Sequence, residues 1–134
     1  MKTLLTATAV IEAGAGLALL CFPSATAVLL VGAPLDPSAA LTVARVGGAA
    51  LLTLGVACWL ARGDAQSSAA RGLITAMVLY NIGAVVILAA VGIGSQPLGI
   101  ALWPAVVLHS VMTVWCTVSL IGGEAGTRSL TPNA

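Results

Sequence analysis

GLITAMVLYNIGAVVILAAVGIG, residues 72–94, runs without a single charged side chain. It is longer than the roughly 20 residues that an α-helix needs to cross a ~30 Å hydrocarbon core. Three other stretches read the same way, 3–22, 37–61 and 99–121. The composition agrees. Of 134 residues 60% are hydrophobic and 7% are charged, whereas a soluble domain carries about 25% charged residues. Such a chain cannot cover a water-facing surface, so lipid is its solvent. In lipid the backbone must satisfy its own hydrogen bonds, which favours helices. The expected fold is all-α, a single integral membrane domain of four transmembrane helices.

The boundaries follow from local chemistry. Pro23 cannot continue a helical ladder and ends the first span. SATAVLLVG, residues 24–32, is too short to cross and reads as a short interfacial or re-entrant helix between spans 1 and 2. In APLDPS, Asp36 offers an N-cap and Pro37 a first helical residue. A polar connector, DAQSSAAR, leads into the third span, and Ser95-Gln96-Pro97 forms a turn before the fourth. Gly122 and Gly123 end that span, leaving residues 122–134 as a mobile tail. The N-terminus resembles a signal peptide, but Glu12 interrupts its apolar region, so a retained first span is expected.

Orientation follows from the basic residues. Lys2, Arg62, Arg71 and Arg128 fall on one side of this plan, and the other side carries Asp36 with no basic residue. The positive-inside rule then places both termini in the cytoplasm. Trp59 and Trp115 fall near the inner interface and Trp103 near the outer one, as an aromatic belt does.

Each span holds a polar residue where lipid does not tolerate one: Glu12, Arg45, Asn81 and His109. By default such groups face the bundle interior and mark a site of function. At about 1.5 Å per residue, Glu12 and Asn81 lie roughly 13 Å from the cytoplasmic ends of their spans, and His109 roughly 15 Å from the outer end. These three share one level near the midplane. Arg45 stands roughly 10 Å higher, which argues against a direct Glu12–Arg45 salt bridge and for snorkelling outward or binding something that enters there. Small or polar neighbours at helical spacing point Glu12, Arg45 and His109 inward. The face of Asn81 also carries Met77, Val78, Val85 and Leu88, and reads less clearly.

Structural readings stand beside functional ones. Asn81 reads as an interhelical hydrogen-bond staple. His109 reads as a neutral imidazole bonded to Glu12 or Asn81, or as part of a proton-handling pair. Arg45 reads as a lipid-headgroup anchor or an anion site. A midplane carboxyl such as Glu12 must be protonated, paired or hydrated, and is the hardest to reduce to packing. Pro104, inside the fourth span, is expected to kink it one turn above His109.

Other classes find no support. The net charge of +1 lacks the basic patch of a nucleic-acid partner. Cys21, Cys58 and Cys116 are isolated and read as small apolar residues rather than metal ligands. No Walker, Rossmann or HExxH pattern occurs, and Ser110 points away from its neighbour His109, which disfavours a hydrolase. The two halves do not align, so an inverted-repeat transporter is unsupported. No catalytic residue, metal site or cofactor is assigned.

The stretch ARVGGAALLTLGVACWLAR, residues 44–62, resembles the second helix of small four-helix bacterial membrane proteins of the DoxX-like kind, and the four-helix plan is also similar. The resemblance implies a bacterial inner-membrane location and, in some members, a place beside redox enzymes as a membrane subunit. It carries over no site residue. The expected role is non-enzymatic. Either the chain is a subunit of a larger membrane complex or homo-oligomer, or it binds a lipid or quinone-like small molecule at the polar cluster. The alternative is a small proton-linked transporter or channel using Glu12 and His109. The topology predicts that reporters fused to either terminus sit on the cytoplasmic side. Protease protection in inverted and right-side-out vesicles checks this, and termini on opposite faces would contradict the even span count.

Overall fold

The computed structural model describes residues 1–36, 38–94 and 98–128, with side chains described to residue 122. Within them the chain is helical, with no strand: α1 (Lys2–Cys21), α2 (Pro23–Val31), α3 (Ser38–Ala61), α4 (Ser68–Gly94) and α5 (Leu102–Arg128), with a 3-10 turn at Arg62–Asp64. Four helices, α1, α3, α4 and α5, are long and apolar enough to cross a membrane. The short helix between the first two spans is α2. The cap expected of Asp36 and Pro37 and the turn over 95–97 fall at least partly outside the described residues, as does everything after residue 128.

Three boundaries differ from expectation, each for a local reason. Helix α4 begins one turn early because Ser67 caps it, with the Ala70 N–H donating to Ser67 Oγ at 3.1 Å. Helix α5 begins at Leu102, so Pro104 falls in its first turn and not in its interior. First-turn N–H groups have no ladder partner, so a proline there removes no bond and calls for no kink. At its other end α5 runs through Gly122 and Gly123 to Arg128, past the point expected to start a mobile tail. At the end of α3, the Arg62 guanidinium lies 3.3 Å from the Trp59 ring centroid and donates to the Trp59 carbonyl at 3.1 Å. That satisfies a terminal acceptor with a cation where the helix dipole favours one.

The spans pack as two close antiparallel pairs, α1 with α3 and α4 with α5. The first pair is a small-residue seam. A Cβ on Gly48 would lie 2.8 Å from the Gly16 carbonyl oxygen, and one on Gly55 would lie 2.8 Å from the Ala13 nitrogen. Only glycine lets the two backbones approach so closely, the usual device where lipid supplies no hydrophobic drive for helix association.

The pairs meet through side chains at the end of the bundle that holds the N-terminus. Leu4, Leu5 and Ala9 of α1, Cys58 of α3, Ala70, Ile74 and Met77 of α4, and Met112 and Cys116 of α5 form one buried cluster. Cys58 and Cys116 serve there as small apolar residues, whereas Cys21 is exposed at the end of α1. Toward the other end the pairs are held together by α2. Its C-terminal half docks on the start of α5, with the Ala101 N–H donating to the Leu29 carbonyl at 2.8 Å. Gly99 makes this possible, because a Cβ there would collide with the Leu29 carbonyl. Far from only lying along an interface, α2 straps the bundle across one end.

The seam predicts a contrast between adjacent glycines. Gly48→Val should destabilise the protein by about 1–3 kcal/mol. Gly47→Val, where a Cβ meets nothing within 4 Å, should be close to neutral apart from propensity. Reversible unfolding in mixed micelles compares the two, and equal losses would contradict the close approach.

Candidate functional site

Above the buried cluster the packing changes. Ala15, Gly83, Ala84 and Ala105 stand where bulky side chains would be needed to fill the space between the helix pairs. A cavity of about 570 Å³ results, bordered by residues of all five helices. This lies within the ~300–1,000 Å³ typical of small-molecule sites. Its walls are apolar, including Leu19, Leu30, Leu51, Ile87, Leu88 and Leu108. Its polar side chains are Glu12, Tyr80 and His109, next to the buried cluster, and Thr26 on α2. Thr26 is already satisfied, since its hydroxyl donates to the Phe22 carbonyl at 2.9 Å. The cavity is therefore an apolar chamber with a polar floor, open on the side where Leu79 and Ile87 of α4 are exposed.

The floor is a bonded cluster. Asn81 is 1% exposed, and its Nδ2 donates to the Met77 carbonyl one turn earlier at 2.7 Å. Its Oδ1 lies 2.7 Å from His109 Nδ1, which ties α4 to α5. The Tyr80 ring stands edge-on to His109, with centroids 5.6 Å apart and planes at 82°. Glu12, 3% exposed, interacts with the Tyr80 side chain, which links α1 to α4. Among the described residues, no buried side-chain nitrogen or oxygen is left without a partner. The hydroxyls elsewhere in the spans mostly fold back on their own helices, as Thr113 does on the His109 carbonyl at 2.8 Å and Ser110 on that of Val106 at 2.8 Å. Glu12, Tyr80, Asn81 and His109 are different because they interact between side chains.

Three of the four residues singled out by sequence thus meet at one level. Glu12 and His109 are not bonded to each other. Each has its own partner, and Tyr80 stands between them. Asn81, whose inward placement was the least clear, is the most completely buried of the set. Arg45 is the exception. It is exposed, makes no hydrogen bond or ion pair among the described residues, and does not border the cavity. It falls on the same stripe of α3 as Gly48, Leu52 and Gly55, but Gly48 already packs at the level of Leu19 and Leu20, and α1 ends at Cys21. One turn further out α1 has ended, and Arg45 is left exposed.

Tyr80 is the site residue that spacing arguments miss. The available signal was its position. It is the only tyrosine in the chain and sits in mid-span beside Asn81, away from the aromatic belt. No group of three or more His, Cys, Asp or Glu side chains able to hold a metal occurs among the described residues. No family model, curated protein or solved structure matches the chain.

The Asn81–His109 bond should be visible energetically. Asn81→Leu and His109→Leu each leave a buried polar group unpaired, whereas the double variant removes both. A double-mutant cycle in bicelles should return a favourable coupling of about 0.6–1.7 kcal/mol, the range for such bonds in membranes. Additive losses would contradict the bond.

Proposed function

We propose that this multi-pass membrane protein binds a small amphiphilic molecule in the chamber above Glu12, Tyr80 and His109, without acting on it chemically. One observation carries the reading, an apolar cavity of about 570 Å³ whose polar groups are gathered at one end and held by bonds that fix their orientation. Apolar walls suit a hydrocarbon body, and a few convergent polar groups set its orientation. We place the protein in a bacterial inner membrane with both termini cytoplasmic, on the distribution of Lys2, Arg62 and Arg71 and on the resemblance of residues 44–62 to DoxX-like proteins. That resemblance also accords with a place in a larger membrane complex, to which the chamber would present its ligand.

The proton-transport alternative finds less support. A transport path needs access from both faces, and below the floor Leu4, Leu5, Ile74 and Met77 are packed and almost fully buried. Glu12 and His109 also lack the direct bond expected of a relay pair.

Gly83 gives a test that spares the fold. It borders the cavity, and a Cβ there meets nothing within 4 Å. Gly83→Phe should fill the chamber and leave the helix pairs intact. Native mass spectrometry after mild solubilisation should show a bound small molecule on the wild type and at least a tenfold lower occupancy on the variant. Equal occupancy, or a wild type that carries nothing, would overturn the binding reading.

A further inference from the structure

The bonds beneath the chamber specify the polarity of what it binds. Asn81 Nδ2 donates to the Met77 carbonyl at 2.7 Å, and turning the amide over would set two carbonyl oxygens face to face at that distance. The amide is therefore fixed, and its oxygen is the atom 2.7 Å from His109 Nδ1. An oxygen without hydrogen cannot donate, so Nδ1 carries the proton. In a neutral imidazole the other nitrogen, Nε2, is then an acceptor. An imidazolium would need a counter-charge in contact in so apolar a place, and His109 makes no ion pair with Glu12 among the described residues. Nε2 has no partner among the described residues and is not sealed off in the structure. His109 borders the chamber and Asn81 does not. The ring beside the chamber thus has one nitrogen lone pair left over, which asks for a donor.

Depth narrows the choice further. Glu12 lies about 15 Å along α1 from Lys2, close to the middle of a ~30 Å core. Among the described residues, no lysine or arginine borders the chamber. A phosphodiester or carboxylate head placed there would be desolvated with no cation to meet it. A neutral head that can only accept, such as an ether or ketone, leaves Nε2 unpaired.

Resting on the binding reading above, we infer that the chamber takes a neutral lipid alcohol or phenol, bound hydroxyl-inward, with its O–H donating to His109 Nε2 and its hydrocarbon against the apolar walls. Asn81 is a positioning residue. It does not border the chamber, and it decides which ring nitrogen faces the ligand.

His109 is the only histidine in the chain, so imidazole nitrogen labelling yields one ring to read. In bicelles the spectrum should show Nδ1 protonated and Nε2 bare, with the Nε2 signal moving when tetradecanol is added. Tetradecanol should bind about 5–10-fold more tightly than its methyl ether or the matching methyl ketone, the worth of one hydrogen bond. In Asn81→Leu that preference should fall toward unity, a change that a loss of stability alone would not produce. A ring protonated on Nε2, or equal binding of alcohol and ether that Gly83→Phe abolishes, overturns the donor assignment and leaves the chamber as a site. If none of the three probes binds the wild type more tightly than Gly83→Phe, the binding reading itself fails. Should Asn81→Leu not fold, the alcohol-to-ether ratio and the ring spectrum of the wild type decide alone.

Discussion

Inside a bilayer a polar side chain has no water to turn to, and the Asn81 amide shows how this chain meets that constraint. One end of the amide holds the Met77 carbonyl and the other holds the His109 ring. The first bond fixes the amide on its own helix, and the second ties α4 to α5. The ring so held stands against Tyr80, and Tyr80 reaches Glu12 on α1. Each group occupies the place where its neighbour needs a partner, so the cluster links three spans at a single depth. Removing one member leaves another unsatisfied in a medium where that is costly.

This level divides the bundle into two kinds of packing. On one side, leucine, isoleucine, methionine and cysteine fill the space between the helix pairs. On the other, alanine and glycine leave it open, and the α2 strap ties the pairs together across that end. The glycine seam between α1 and α3 brings their backbones into near contact and makes that pair one closely packed wall. A polar floor and apolar walls are together what a site needs to orient an amphiphile.

Much of this was legible in the sequence. The four spans were evident because lipid demands long uncharged runs, and the common depth of Glu12, Asn81 and His109 followed from the rise of a helix. Helical spacing identified the right stripe on α3 for packing but misjudged Arg45, since a stripe does not tell where the partner helix stops. Asn81 looked ambiguous because its neighbours are bulky, yet Met77 beside it belongs to the dry cluster and its carbonyl is the acceptor the amide uses. Tyr80 escaped notice because an aromatic residue in a span reads as apolar until its hydroxyl is placed. The role of Gly99 and the start of α5 were hidden for a different reason. They depend on where α2 docks, a contact between distant parts of the chain that no local pattern announces.

The central claim is that the space above the polar floor is a site and not a packing defect. A high-resolution density map of the protein purified in its native lipid tests it most directly. The account predicts elongated non-protein density between α1, α2, α4 and α5, with its polar end within hydrogen-bonding distance of His109 Nε2. Helix pairs closed on one another, with side chains filling the space above Glu12, Tyr80 and His109, would contradict it.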